Sequence, residues 1–402
     1  FDLRVLKALF LVRYIDYFKT NIQHLTTLLL DSVNTYEISL ERDIKNSLEK
    51  LERNIYIQNI GDIYYYLTDE EKDIQSEIKE IDIEDTEISS FLADIIFNEI
   101  IGDTKFDYKP IKQSYSFTKK MDDRLYSKEH FLSLHFITPF YIEEKNLTDI
   151  DLKSKSMGCN EIIVRLPELE NTRNQLRNQL TLIIQTKKYI NKTSPSMSDR
   201  KRLLFDQTAS QNNERKTKLI DQVRDLINEA RFYLNGEEIK VSAIAGVKNR
   251  INEAFQKAVE VTFPKLKMLS RVYREEDIKE ILFSGSDIFG TLTEGENEVR
   301  VFIERKRPYG RVTVKHIIEN FTGNGYGWYQ PAIISQIAGL YSKKKIMRYY
   351  NASELQDFKE SYKKLTNSKE FDSITVEIQR TVEEKKIAKA KEFYQELFNI
   401  SL

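Results

Sequence analysis

Along most of this chain apolar residues recur every three to four positions, and they alternate only in short runs. That pattern predicts a mainly α protein with small β elements, an α+β fold. Leu3, Leu6, Leu9, Phe10, Tyr14 and Tyr17 mark a first amphipathic helix, and residues 21–30 a second, with Asn21 as its cap. A third covers 39–54, with Ile44, Leu48, Leu51 and Ile55 on one stripe. Residues 55–67 are β-branched and aromatic on both sides of Gly61-Asp62, which predicts a hairpin. Three helices and then a hairpin is the order of a winged helix.

Residues 70–101 have a helical period, and 106–166 read as a small α/β segment with strands at 131–137 and 161–166. Helices over 168–191 and from Ser198 to Leu234, broken at Thr193-Ser194-Pro195-Ser196 and stopped at Asn235-Gly236, predict a long helical hairpin. A short strand near 238–241 precedes helix over 246–283 and a Gly- and Ser-containing loop at 283–290. Residues 298–304 read as strand, 313–321 and 331–341 as helices, and 346–350 as a wing strand. This is a second winged-helix-like unit, closed by two helices over 353–400. The expected domains are 1–104, 105–167, 168–297 and 298–402.

Composition changes this picture little, because 62 Lys+Arg balance 63 Asp+Glu. Distribution says more. Residues 81–104 hold seven acids and no base, while 300–350 hold ten bases against Glu304 and Glu319. An acidic end and a basic island predict two different surfaces. Cys159 is the one cysteine, which excludes a disulfide framework and a cysteine-based zinc site. Apolar runs such as 25–30 are too short to cross a bilayer, so no membrane contact is expected and the cytoplasm is the expected compartment. Phe1 and Leu402 both fall close to helical runs, so the chain is expected to be part of something longer.

No GxxxxGK[ST] motif occurs, and Gly323-Asn324-Gly325-Tyr326-Gly327 follows a helix without a lysine placed for phosphate. It reads as a flexible helix-to-helix turn. His24, His130, His135 and His316 are scattered, and His130 and His135 are expected as solvated or hydrogen-bonded surface residues. Neither a catalytic group, a cofactor nor a metal is expected in this segment. The basic island is the candidate nucleic-acid surface: Arg305, Lys306, Arg307 and Arg311, then Lys343, Lys344, Lys345 and Arg348. Tyr309, Tyr326, Trp328 and Tyr329 would add stacking area. In the first unit Arg42, Lys45, Lys50 and Arg53 are offset by Glu41, Asp43, Glu49 and Glu52, which favours protein docking over DNA.

Four stretches point to a family. They are Leu3–Leu11; Leu51-Glu52-Arg53-Asn54 through the hairpin to Leu67-Thr68-Asp69-Glu70-Glu71; Gln211–Arg215 with Glu229–Glu238; and Tyr326-Gly327-Trp328 with Ile337–Leu340. Over nearly its whole length the chain resembles the large P-loop ATPase of bacteriophage-exclusion (BREX) defence systems, the BrxC/PglY family. The resemblance implies a role in prokaryotic antiviral defence, in an assembly that marks host DNA and blocks phage. Other defence-system subunits would be its partners. ATP would be bound by an AAA-like domain upstream, through which the parent protein would also self-associate. That domain's motif is absent here, so no nucleotide-binding residue is carried over. The alternative is a winged-helix DNA-binding adaptor unrelated to an ATPase.

Overall fold

The computed structural model describes residues 1–15, 17–31, 37–60, 62–141, 146–158, 160–167, 172–192, 199–242, 246–283, 291–323 and 325–379, with 392, 393 and 395. Gly61, Cys159, the 193–196 break, Ser198, the loop at 284–290, Asn324 and most of the final expected helix lie outside them.

The N-terminal unit follows its apolar stripes. Helices α1 (Asp2–Val12), α2 (Ile22–Leu29) and α3 (Glu37–Arg53) enclose Val5, Leu9, Leu25, Leu29, Ile44 and Leu48. Asn21 Oδ1 accepts the His24 N–H at 2.8 Å and so caps α2. Strands β1 (Ile57–Ile60) and β2 (Ile63–Tyr66) pair antiparallel with Ile60 opposite Ile63, the register of a two-residue turn.

The helix expected over 70–101 is broken. It forms α4 (Asp69–Lys79), α5 (Asp85–Asp94) and a π-helical segment (Ile95–Ile101) that stops at Gly102. The Glu87 carboxylate accepts the Glu84 N–H at 3.1 Å, which starts α5 as a separate helix. Charge pattern alone concealed this start.

The central sheet has the order β3-β4-β6-β7-β8-β9. Its strands are β3 (Lys105–Tyr108), β4 (Gln113–Met121), β6 (Leu132–Ile137), β7 (Glu161–Arg165), β8 (Arg231–Leu234) and β9 (Glu237–Ile239), with β5 (Arg124–Leu125) hooked onto β4. Strands β4, β6 and β7 are parallel and the other pairs antiparallel. Helix α6 (Asp149–Ser156) lies between β6 and β7 in sequence. The helical hairpin, α7 (Thr172–Lys192) and α8 (Asp199–Glu229), leaves the sheet after β7 and returns into β8. The boundary expected at 167 therefore falls inside the sheet. Residues 231–234, expected as the end of a helix, are strand, and Asn235-Gly236 turns a hairpin with both residues at positive φ.

The chain then forms α9 (Gly246–Thr262), a 3-10 turn (Pro264–Met268) and α10 (Glu275–Phe283), so the helix expected over 246–283 is interrupted. A winged-helix unit comes next: α11 (Glu294–Lys306), β10 (Val312–Thr313), α12 (Val314–Thr322), α13 (Gln330–Ser342), β11 (Ile346–Tyr350) and β13 (Ile374–Ile378). Its sheet runs β10-β13-β11-β12, with β12 (Ser353–Glu354) and α14 (Phe358–Leu365) between β11 and β13. Residues 298–304 are helix, not strand. Thr293 Oγ1 accepts the Glu296 N–H and Glu296 accepts the Thr293 N–H, a capping box that commits residues 294–306 to α11. Residues 374–378, expected as helix, are the strand that closes the sheet.

One apolar core joins the central sheet to the winged-helix unit. The glycine-rich loop is the seam between them, and it is anchored instead of free. Tyr115 Oη donates to the Gly327 carbonyl at 2.8 Å, and Trp328 Nε1 donates to the Lys265 carbonyl at 3.1 Å. Trp328 is fully buried and stacks on Phe321.

The β4–β5 turn places Asp122 and Asp123 at positive φ. The Asp122 carboxylate accepts the Thr138 N–H at 2.8 Å and the Thr138 hydroxyl at 2.7 Å. Burial pushes its pKa up to about 6 from 3.8, against the pull of those two donors. An acid whose folded pKa is raised stabilises most below its unfolded value and loses that contribution as pH rises through the folded value. Asp122→Asn keeps the Thr138 N–H bond through Oδ1 and reverses the other, Nδ2 donating to the Thr138 hydroxyl, without burying a charge. It is expected to gain on the order of 1–2 kcal/mol over wild type between pH 4 and pH 7, allowing for partial solvent screening. Urea midpoints of the two proteins at both pH values check this, and contributions common to both, such as His135, cancel.

Candidate functional site

The structure divides the basic island. Arg305 and Lys306 end α11, Arg307 opens a 3-10 turn (Arg307–Tyr309), and Arg311 follows Gly310. All four cations are exposed, and among the described residues none is in an ion pair. Pro308 and Gly310, the latter at φ 136°, hold Tyr309 out of the fold with 87% of its surface exposed. Lys306, Tyr309, Arg311 and His316 line a depression of about 330 Å³, with Phe302 and Val312 among its other walls.

The second basic set lies elsewhere and is largely occupied. Lys343 donates to the Glu296 carboxylate at 2.6 Å and to the Thr291 carbonyl at 3.1 Å. Glu296 sits near the start of α11 and Lys306 at its end, ten residues or about 15 Å along the helix. Lys344 is exposed, while Lys345 is half-buried, with its carbonyl accepting the Gln379 N–H. Arg348 is no surface residue at all. It is fully buried, its guanidinium 3.3 Å from the centre of the Tyr341 ring and bonded to Ser361 Oγ at 2.7 Å. Burial pushes its pKa down.

The expected stacking platform is reduced in the same way. Tyr326 and Trp328 are core residues, and Tyr329 Oη accepts the Tyr273 N–H at 2.6 Å. Only Tyr309 of the four stands free in solvent.

Helix α13 holds the position of a recognition helix, yet Ala332–Leu340 is buried without interruption. Helix α10 packs on it from one side, and α11, α12 and β11 from others. A helix buried around its whole circumference is a core helix, and a major groove has no access to it.

The acidic stretch is not an open acidic surface either. Arg177 pairs with Asp85 at 3.0 Å, Lys188 with Glu87 at 2.7 Å, Lys216 with Glu99 at 2.8 Å and Lys248 with Asp103 at 3.4 Å. The helical arm, with Lys248 of α9, thus clasps the segment that carries the charge.

His135 overturns the expectation of a surface histidine. It is fully buried on β6, its Nε2 accepts the Asp123 N–H at 3.1 Å, and its Nδ1 meets the Glu161 carboxylate. Burial holds its pKa below the usual value, against the pull of Glu161. Through the Nε2 hydrogen bond it fastens the β4–β5 turn to the sheet. Its alternation with Leu134 and Phe136 was the signal that it belongs to a strand covered on both faces. Among the described residues no group of three His, Cys, Asp or Glu is placed to hold a metal ion.

The N-terminal unit contributes a feature of another kind. The inner stripe of α1 is Val5, Ala8, Leu9 and Val12, all buried. A second stripe, Leu3, Lys7, Leu11 and, just past the helix, Tyr14, faces solvent, with Leu11 73% and Tyr14 77% exposed. Helix α3 turns a mixed-charge face outward, with Lys45 paired to Glu41 at 2.7 Å.

Two family models match the chain. Residues 81–258 match the fourth domain of the BREX ATP-binding protein BrxC, described as having a six-stranded β-sheet, and the principal sheet path here has six strands. Residues 265–380 match the winged helix-turn-helix domain of the same protein. The chain belongs to the BrxC family. It is a phage-defence system protein with a winged-helix domain, and neither matched BrxC domain is a catalytic one. No described helix is long and apolar enough to cross a membrane. No solved structure matches the chain.

Proposed function

We propose that this is the non-catalytic assembly region of a BREX ATPase, which docks other subunits of the defence system through the outer face of its N-terminal unit. The observation that carries the reading is the second, exposed stripe on α1, in which Leu3, Leu11 and Tyr14 flank Lys7. A solvated helix turns a polar face outward, and a row of exposed Leu and Tyr beside a packed core is the mark of a protein contact. Nucleotide binding and hydrolysis then belong to the parent ATPase, with ATP its cofactor, and this region supplies contact surface.

The test is co-purification of the full-length protein with the other subunits of its system. Leu11→Glu combined with Tyr14→Glu is expected to lower recovery of at least one subunit about tenfold, equivalent to about 1.4 kcal/mol of binding. The fold should persist, because exposed substitutions shift stability by less than about 0.5 kcal/mol. Unchanged recovery of every subunit would remove the α1 face from the reading. The alternative of a DNA-reading adaptor is weakened by the burial of α13.

A further inference from the structure

We infer that the edge formed by Arg305, Lys306, Arg307, Tyr309 and Arg311 binds single-stranded nucleic acid, with an unstacked base against Tyr309 and phosphates on the surrounding cations. Three independent features of the winged-helix unit lead there.

The first is charge without close ion pairs, although Arg305 lies near enough to Glu298 to help the Tyr326 hydrogen bond lower its pKa. Elsewhere in this fold many surface cations are spoken for: Lys315 pairs with Asp372 at 2.7 Å, Lys265 with Glu298 at 3.0 Å and Arg300 with Glu304 at 3.1 Å. Arg305, Lys306, Arg307 and Arg311 make no ion pair among the described residues, although they fall within seven consecutive positions. Four cations this close, none in a close ion pair, repel one another, and a polyanion relieves that repulsion.

The second is the aromatic ring. The chain buries Tyr326 and Trp328 nearby but turns Tyr309 outward on a turn stiffened by Pro308 and ended by Gly310. A rigidly presented, fully wetted ring among cations is the stacking platform of single-strand binders. The depression beside it, about 330 Å³, offers Phe302 and Val312 as apolar wall and a polar rim in which Lys306, Arg311 and His316 outnumber the one carboxylate, Glu319. His316 Nδ1 accepts the Thr313 N–H at 3.3 Å, which fixes the ring.

The third is the closure of the other route. Duplex reading by a winged helix places the recognition helix in the major groove, and α13 is buried from Ala332 to Leu340. The remaining basic edge has one exposed ring and no projecting helix, which suits an unpaired base better than a groove.

The experiment uses the full-length protein and a labelled single-stranded oligonucleotide of about 15 nucleotides, matched by its duplex. Anisotropy is expected to show tighter binding of the single strand. Tyr309→Ala should weaken it about 5- to 100-fold, and Tyr309→Phe should leave it nearly unchanged, since stacking needs the ring and not the hydroxyl. Lys306→Gln with Arg311→Gln should flatten the log–log salt slope by about 0.7 for each phosphate no longer neutralised. Lys343→Gln and Lys344→Gln should leave that slope alone. Comparing variants within one protein separates this edge from any other nucleic-acid surface it has. Wild-type affinity in Tyr309→Ala, or a salt slope that ignores Lys306 and Arg311, overturns the inference. Tighter duplex binding that falls with the cations but not with Tyr309 would make the edge a duplex backbone contact, which overturns it as well. None of these outcomes bears on the α1 face, which is tested by recovery of subunits.

Discussion

Arg348→Ala is expected to destabilise the winged-helix unit by about 3 kcal/mol or more, with no direct role for this residue in nucleic-acid binding. The guanidinium fills the space between the Tyr341 ring and Ser361, and its removal leaves a cavity in the core. Arg348→Met should behave differently. Nε and Nη1 have no hydrogen-bond partner although they are buried, so the charge is held at a desolvation cost that an apolar side chain of similar length does not carry. Methionine is expected within about 1 kcal/mol of wild type. Urea unfolding of the three proteins decides the matter. A mild alanine variant would mean that the interior closes over the gap.

Gly327→Ala should cost about 3 kcal/mol or more and loosen the seam between the central sheet and the winged-helix unit. Gly327 has φ 61°, and a side chain there costs roughly 1–2 kcal/mol. An added Cβ would also stand within the van der Waals surface of the Phe263 ring, an overpacking cost of typically 1–3 kcal/mol. Trp328 is the one tryptophan of the chain and lies next in sequence, so its emission reports the change directly. A redshift at temperatures where the wild type stays blue is the expected result. Unchanged emission and an unchanged melting temperature would show that Phe263 moves aside freely.

Much of the architecture was legible where period and breaker agreed. The β1–β2 hairpin, α12, α13 and β11 were all readable from short-range pattern. Residues 374–378 were missed because five residues of alternation beside helical neighbours can be read either way, and pairing with β11 decides it. Arg348 carried a signal that was overlooked: in a strand it shares a face with Ile346, and that face is the core. The fate of the acids at 81–104 was out of reach, because their partners lie some 90–145 residues further along. The burial of α13 was half visible, since Ala332–Leu340 contains no charged residue at all. What no local pattern supplied was α10 lying across it. At the candidate interface the sequence groups exposed cations with buried ones, which only packing separates.

The insertion of the α7–α8 arm between neighbouring strands has a consequence during synthesis. Strand β7 emerges with β6 available on one side, but its other neighbour, β8, follows about 65 residues later. At roughly 5–20 residues per second that interval is on the order of 3–13 s. For that time a strand of Ile162, Ile163 and Val164 presents an open hydrogen-bonding edge on the ribosome-bound chain. Early folding of the arm, whose contacts are local, would shorten the exposure by carrying β8 back to its place as soon as it is made. The arm's turn and helix propensity therefore bear on soluble yield as much as on the finished structure.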